Sequence, residues 1–277
     1  MARFRHRFVD IDPGIWSRPQ PPLPEFTHRS IGRPYREQIL QADSIRILWP
    51  WEEHGRARTV VTRSGAHRRF IVPCYRGGDR EAHCDAEEER DLAILLDACA
   101  GIEFQEQPAT IVFPFNGIET GHDPDCLAVG GGRKVFFECK KDHEALDLYV
   151  RCRTACLREL LHPLGFEYRL VTTSQLQARA YLENARRMRR RANFEFDVGV
   201  LRQRVQSAGG VSMTAGESLA NCASDLGADP LTVLYAALYQ GVLVGNLCEE
   251  ISLNMTVEFS DHPGEKPWLW HALLKTS

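Results

Sequence analysis

The sequence has no apolar run near the length of a membrane span, no Cys-x-x-Cys pair and no lysine in residues 1–80. The first absence argues against a membrane-spanning helix. The amino terminus, Met1-Ala2-Arg3-Phe4-Arg5, is basic but lacks an apolar core segment, so no secretory leader is expected. The nine cysteines are odd in number and scattered. Cys152 and Cys156 stand four apart on an expected helix, without a second pair to complete a zinc site. Reduced cysteines used as small apolar residues in a cytoplasmic protein are the reading that fits. Gly130-Gly131-Gly132 is not followed by Gly-Lys-Ser/Thr, and a strand comes next, which argues against a phosphate-binding loop. Ser212, Ser218 and the scattered histidines form no spaced pattern of a serine hydrolase.

What remains is a globular composition. The chain has 277 residues, 43% hydrophobic and 26% charged, enough for one large or two small domains. Its net charge of −3 hides a partition. Residues 1–80 carry 15 arginines against 8 acids, and residues 168–194 carry 7 arginines against 1 acid. Residues 195–277 carry 4 bases against 10 acids. The basic parts suit a phosphate backbone, and the acidic tail does not.

Residues 1–56 read as an irregular basic arm, with four prolines between Pro19 and Pro24. Short strands are expected at Ile45–Trp51, Arg58–Val61 and Arg69–Pro73, with a turn at Ser64-Gly65. Asp85 is a plausible N-cap, with Glu88 three residues on as its capping-box partner. Leu92, Leu95, Leu96 and Cys99 then form an apolar stripe ending at Gly101. Ala109–Phe115 and Glu119–Val129 read as strands around the hairpin turn Asn116-Gly117. Lys134–Cys139 reads as a central strand, His143–Leu161 as a long helix and Phe166–Thr172 as a returning strand. Ser174 caps a second long helix that runs out through Arg186, Arg187, Arg189, Arg190 and Arg191. That order predicts a mixed α/β sheet flanked by helices over residues 57–194. From 195 to 277, helices at Asp197–Ala208, Thr214–Asp225 and Leu231–Gln240 precede short strands, a mostly helical, winged-helix-like pattern.

The chemistry concentrates in His122-Asp123-Pro124-Asp125 and Phe137-Glu138-Cys139-Lys140. Phosphodiester hydrolysis needs an activated water, neutralisation of growing negative charge and help for the leaving oxygen. A bound Mg²⁺, with Mn²⁺ as a substitute, serves all three and takes oxygen ligands. Asp125 and Glu138 are the ligand candidates, with the Cys139 carbonyl between them. Lys140 returns to the face of Glu138 by the two-residue strand period, where its ammonium orients water and stabilises charge. So short a motif is ordinarily a strand pair with surface charges. Three features raise it: the acids sit on apolar strands, an acidic helix lies upstream, and the arginine-rich helix downstream offers a hold on DNA. His122 reads either as a phosphate-placing group or as an exposed loop histidine.

Glu89 with Leu95-Leu96, Gln107-Pro108, Pro124-Asp125 and Glu138-Cys139-Lys140 stand in an order that resembles the TnsA-type endonuclease subunits of heteromeric transposases. These belong to the restriction-endonuclease-like PD-(D/E)xK superfamily. The resemblance covers residues 57–191 well and the C-terminal part loosely. It implies Glu89 as a helix carboxylate of the metal site, beside Asp125, Glu138 and Lys140. It also implies cleavage of the 5′ ends of a mobile element, with a DDE-type transposase acting on the 3′ ends. An AAA+ ATPase regulator would dock on the C-terminal domain. Two rival expectations stand beside it: a free-standing restriction, repair or junction-resolving nuclease, and a non-catalytic DNA-associated scaffold.

Overall fold

A computed structural model of the chain describes residues 35–39, 45–50, 56–57, 69–76, 80–178, 180–207, 213–216, 219, 227–260, 262 and 267–274. Most of the expected arm, the strand at Arg58–Val61, the turn Ser64-Gly65 and most of the helix at Thr214–Asp225 lie outside these residues. The chain divides into two compact units, residues 1–90 with 104–173, and residues 91–103 with 174–277. Residues 174–194, with the arginine cluster, therefore belong to the second unit, whereas the sequence reading places the boundary near 194. The reason is local: α5 (Tyr181–Arg189) buries Leu182, Ala185 and Met188, and its Arg189 pairs with Asp97 of the same unit.

In the first unit, β1 (Tyr35–Ile39), β2 (Arg46–Pro50), β6 (Thr110–Phe115) and β7 (Ile118–His122) form one sheet in the order β1-β2-β6-β7. A second sheet has the order β10-β9-β8-β5, from β5 (Glu103–Glu106), β8 (Cys126–Gly130), β9 (Arg133–Lys140) and β10 (Glu167–Thr172). β3 (Phe70–Cys74) pairs with β4 (Arg80–Cys84) in a separate two-stranded ribbon. Period-two alternation builds the core. Ile45, Ile47 and Trp49 on or beside β2 join Ile111, Phe113 and Phe115 of β6, since residues two apart share a face. Leu127, Phe136 and Tyr168 enter from the second sheet, and Leu157 and Leu161 from α3 (Leu148–Leu161). Each such side chain is worth about 1.5–3 kcal/mol when fully buried.

Two hairpin turns are set by their residues. Asn116 and Gly117 both take positive φ (53° and 78°) between β6 and β7, as a two-residue hairpin of matching twist requires. Gly131 and Gly132 do the same between β8 and β9.

Three expected elements are divided. The strand expected at Glu119–Val129 is two strands in different sheets, β7 and β8, separated at Asp123–Asp125. Pro124 has no N–H to continue a ladder, and the chain changes sheet there. The helix expected at His143–Leu161 is α2 (Asp142–Ala145) and α3, because the Asp147 carboxylate accepts the Val150 N–H at 3.2 Å and starts a new helix. The long helix expected from Ser174 is a short α4 (Thr173–Leu176) followed by α5.

In the second unit, α1 (Glu87–Ala98) continues from the first, and α5, α6 (Val198–Ser207) and α7 (Pro230–Gln240) accompany a small sheet. That sheet orders β11 (Met213–Thr214), β13 (Thr256–Phe259) and β12 (Leu243–Gly245) as β11-β13-β12. Asp229 caps α7 by accepting the N–H groups of Leu231 and Thr232, and Gly241 ends it in the left-handed region. Asn184, buried on α5, donates to the carbonyls of Leu247 and Glu249 and accepts from the Ile251 N–H, tying the loop after β12 to the helix. Tyr181 stacks on Trp268 of α8 (Trp268–Leu274). Among the described residues no helix is long and apolar enough to cross a membrane.

Candidate active site

Asp125 is held at three atoms. Its N–H donates to the Phe137 carbonyl (3.0 Å), its carbonyl accepts the Gln107 N–H (2.9 Å), and its Oδ2 accepts the Cys139 N–H (2.8 Å). The β8–β9 hairpin thus sets the Asp125 carboxylate against the strand that carries Glu138 and Lys140. Those two share one face of β9, and Lys140 Nζ lies 2.9 Å from Glu138 Oε1. Cys139 alternates to the other face. Burial, with Asp125 and Glu89 nearby, pushes its thiol well above the usual range, so it is no thiolate ligand.

Glu138 Oε1 also accepts Arg153 of α3 at 2.8 Å. Arg153, Leu157 and Leu161 recur at four-residue spacing, so Arg153 extends the stripe by which α3 covers the sheet. Glu138 Oε2 is buried and makes no hydrogen bond among the described residues. His122 Nε2 approaches it to 3.2 Å, but that nitrogen is engaged by the Tyr168 hydroxyl at 2.7 Å. That one ring nitrogen therefore lies within reach of both the Tyr168 hydroxyl and the Glu138 carboxylate.

The two carboxylates are driven apart electrostatically. Burial pushes Asp125 well above the usual carboxylate range, and the negative Glu138 and Glu89 add to this; Lys140 and the Cys139 N–H only partly oppose it. Burial also works against ionised Glu138, but His122, Lys140 and Arg153 outweigh it and hold its carboxyl well below the usual range. Lys140 loses some basicity to burial, yet Glu138 and Asp125 more than restore it, so it stays an ammonium.

Of the three acids opening α1, Glu89 adds to the charge that opposes ionised Asp125. Its Oε2 accepts the Asp85 N–H at 2.9 Å and the Gln107 Nε2 at 3.3 Å, so Glu89 rather than Glu88 closes back on Asp85. Glu88 is buried and accepts the Thr173 hydroxyl, and Glu87 is exposed. Asp123 accepts the Thr110 hydroxyl at 2.6 Å, a partner on β6. Tyr168 and Arg153 are the neighbours that motif reading missed, and His122, read as a phosphate-placing group or an exposed loop histidine, is buried. Only Arg153 carried a local signal, its place on the apolar stripe.

Among the described residues no group of three or more His, Cys, Asp or Glu side chains is arranged to hold a metal ion. Asp125 and Glu138 offer two carboxylates, and the Cys139 carbonyl is a further oxygen. That set fits Mg²⁺, which keeps several waters and takes one or two protein carboxylates, and it does not fit an all-protein cage. The orphaned Glu138 Oε2 and the strained charge state of Asp125 are what a cation would relieve.

The arginines expected to hold DNA divide. Arg186 pairs with Asp91 (3.2 Å), Arg187 with Glu183 (3.2 Å) and Glu250 (2.5 Å), and Arg189 with the fully buried Asp97 (2.7 Å). Arg190 is exposed, and Arg191 is half-buried near Asp229.

No protein-family model matches the chain, and no curated protein matches its sequence.

Proposed function

We propose that the chain is a divalent-metal-dependent DNA endonuclease whose centre is Asp125, Glu138 and Lys140, with Glu89 beside them. The observation that carries this reading is the joint placement of Asp125 against the Cys139 N–H and of Lys140 against Glu138, beside a buried carboxylate oxygen without a donor. Asp125, Glu138 and the Cys139 carbonyl would hold Mg²⁺ or Mn²⁺. Bound there, the cation supplies a more acidic water and neutralises charge on the phosphate. The protonated Lys140 donates hydrogen bonds, so it orients the attacking water or holds a non-bridging oxygen and does not take a proton. Arg153 keeps Glu138 ionised and in place. Water then adds to phosphorus as the bond to the leaving oxygen breaks, the attacking water's proton passing to solvent and the leaving oxygen taking one from solvent.

The resemblance of the ordered motifs extends the proposal. The PD-(D/E)xK fold would be the first unit, and the reaction would be 5′-end cleavage of a mobile element within a heteromeric transposase. Double-stranded DNA at the element ends, a DDE-type transposase and an AAA+ ATPase would be the partners, the last on a winged-helix-like C-terminal domain. One observation favours the scaffold reading instead: Glu138 Oε1 is already paired with both Lys140 and Arg153, as in a purely structural ion pair.

Cleavage of end-bearing DNA in Mg²⁺ or Mn²⁺, with and without the partner proteins, separates the readings. Loss of cleavage in Lys140→Ala and Glu138→Gln, with folding retained, is the expected result. Efficient sequence-specific cutting by the chain alone supports the free-standing nuclease. Undiminished cutting by Lys140→Ala refutes the site. The absence of any calorimetric signal for Mn²⁺ supports the scaffold.

A further inference from the structure

Gln107 was singled out in the sequence only as part of a dipeptide with Pro108, and it has no part in the chemistry above. It is fully buried, yet its backbone adopts φ 39°, in the left-handed region that side chains other than glycine rarely occupy. The strain is held from both sides. Its N–H donates to the Asp125 carbonyl (2.9 Å), and its own carbonyl accepts the Ala57 N–H (2.8 Å). Residues in such conformations persist only where their surroundings over-determine them, and they gather at functional sites.

The side chain gives the strain a direction. Gln107 Nε2 donates to Glu89 Oε2 at 3.3 Å, and Gln107 Oε1 is buried with no hydrogen-bond partner among the described residues. Flipping the carboxamide would set its oxygen against the Glu89 carboxylate, so the orientation is fixed by electrostatics. Gln107 therefore ties to Glu89 through its side-chain NH₂ and to the Asp125 carbonyl through its backbone N–H, and its neutral Oε1 is left buried without a donor among the described residues. A buried acceptor is normally satisfied by a donor, a water or a cation.

We propose that Gln107 is a positioning residue of the metal centre: it fixes Glu89 relative to Asp125, and its Oε1 receives the cation's water shell. This rests on the metal-dependent reading above. Mg²⁺ retains most of its waters in protein sites, and those waters need acceptors. A neutral carboxamide accepts from them without adding a fourth negative charge near Asp125, Glu138 and Glu89.

The test uses the full chain and Mn²⁺ alone, with affinity by calorimetry and thermal stability in chelator. Wild type is expected to bind Mn²⁺, and Asp125→Asn to lose binding. Gln107→Gly removes the carboxamide while glycine accepts φ 39° freely. It is expected to stay folded, melting a few degrees below wild type in chelator, and to bind Mn²⁺ about tenfold more weakly, in line with the loss of an outer-shell partner. Gln107→Glu replaces the NH₂ donor with a charge facing Glu89. Its melting temperature is expected to fall in chelator and to recover with Mn²⁺ by more than wild type gains, which a merely structural role does not produce. Wild-type affinity in a folded Gln107→Gly protein overturns the proposal while the metal site stands. No Mn²⁺ binding in wild type overturns the proposal and the metal-dependent reading together.

Discussion

Asp125→Asn is predicted to stabilise the metal-free protein while abolishing cation binding. Asp125 is buried, and its ionised form is opposed first by that burial, then by Glu138 and Glu89. Lys140 and the Cys139 N–H favour it. Asparagine keeps an oxygen to accept the Cys139 N–H, the 2.8 Å bond that fixes the hairpin, and it removes the charge. The gain from deleting a buried like-charge conflict at a functional site is about 1 kcal/mol, or ~2–4 °C in melting temperature for a chain of this size. The sign with pH follows from the raised carboxyl. A group whose folded pKa is raised favours the fold below its unfolded value, about 3.9, and loses that advantage as pH rises through the folded value. The asparagine variant should therefore match wild type near pH 4 and lead it increasingly towards pH 9. Urea melts in EDTA across that range measure the gap. A variant less stable than wild type by more than ~1 kcal/mol at pH 9, or a gap independent of pH, would refute the reasoning.

Arg189→Met leaves the buried Asp97 carboxylate without its 2.7 Å partner and should cost about 3 kcal/mol in urea denaturation. Arg190→Ala, at an exposed position, should change stability by no more than ~0.5 kcal/mol. If α5 does hold DNA, that variant lowers the salt slope of binding by about 1, measured by titration at several ionic strengths. Glu167 accepts both ends of the Arg133 fork (2.6 and 2.7 Å) and is held below the usual carboxylate range, first by that hydrogen bond. A lowered carboxyl stabilises above its unfolded pKa, roughly 4.3, and the benefit fades as pH falls through the folded value. Glu167→Gln should melt below wild type at pH 7 and converge with it towards pH 3.

The parts of the fold legible in sequence are those fixed by neighbours along the chain. Alternation at Ile45, Ile47 and Trp49 and at Ile111, Phe113 and Phe115 marks two strands. Asn116-Gly117 marks a turn, and Pro230 stands at the first turn of a helix. What was not legible depended on distant partners. β4 reads Arg-Glu-Ala-His-Cys, with only two small apolar residues, and becomes a strand by pairing with β3. Pro124 marks a break, but nothing local says that the chain there leaves one sheet for another. His122 reads equally well as an exposed loop residue, yet it is buried against Tyr168, 46 residues away. The candidate site was legible as spacing, because Glu138 and Lys140 share a face by strand period alone. The cations that tune it, Arg153 above all, came from a helix whose docking no short motif encodes.

Within the same unit there is a control for what a buried carboxylate looks like when its role is structural. Glu106 is as buried as Glu138, yet both its oxygens have donors: Arg56 (2.8 Å) and the His83 N–H (3.3 Å) on Oε1, and Arg80 (2.6 Å) on Oε2. The chain can therefore satisfy a buried acid fully where only stability is at stake. At the candidate site it does the opposite. Glu138 keeps one oxygen without a donor, Gln107 keeps another in a strained backbone, and Asp125 is set beside two acids that oppose its ionisation. Each departure is destabilising alone, by roughly 1–3 kcal/mol for an unsatisfied buried group. The proposed cation with its waters would relieve all three together. Natural sequences agree with themselves across levels except where function demands otherwise. The contrast between Glu106 and the Asp125–Glu138 pair agrees with the cation proposed at this site and does not depend on any motif.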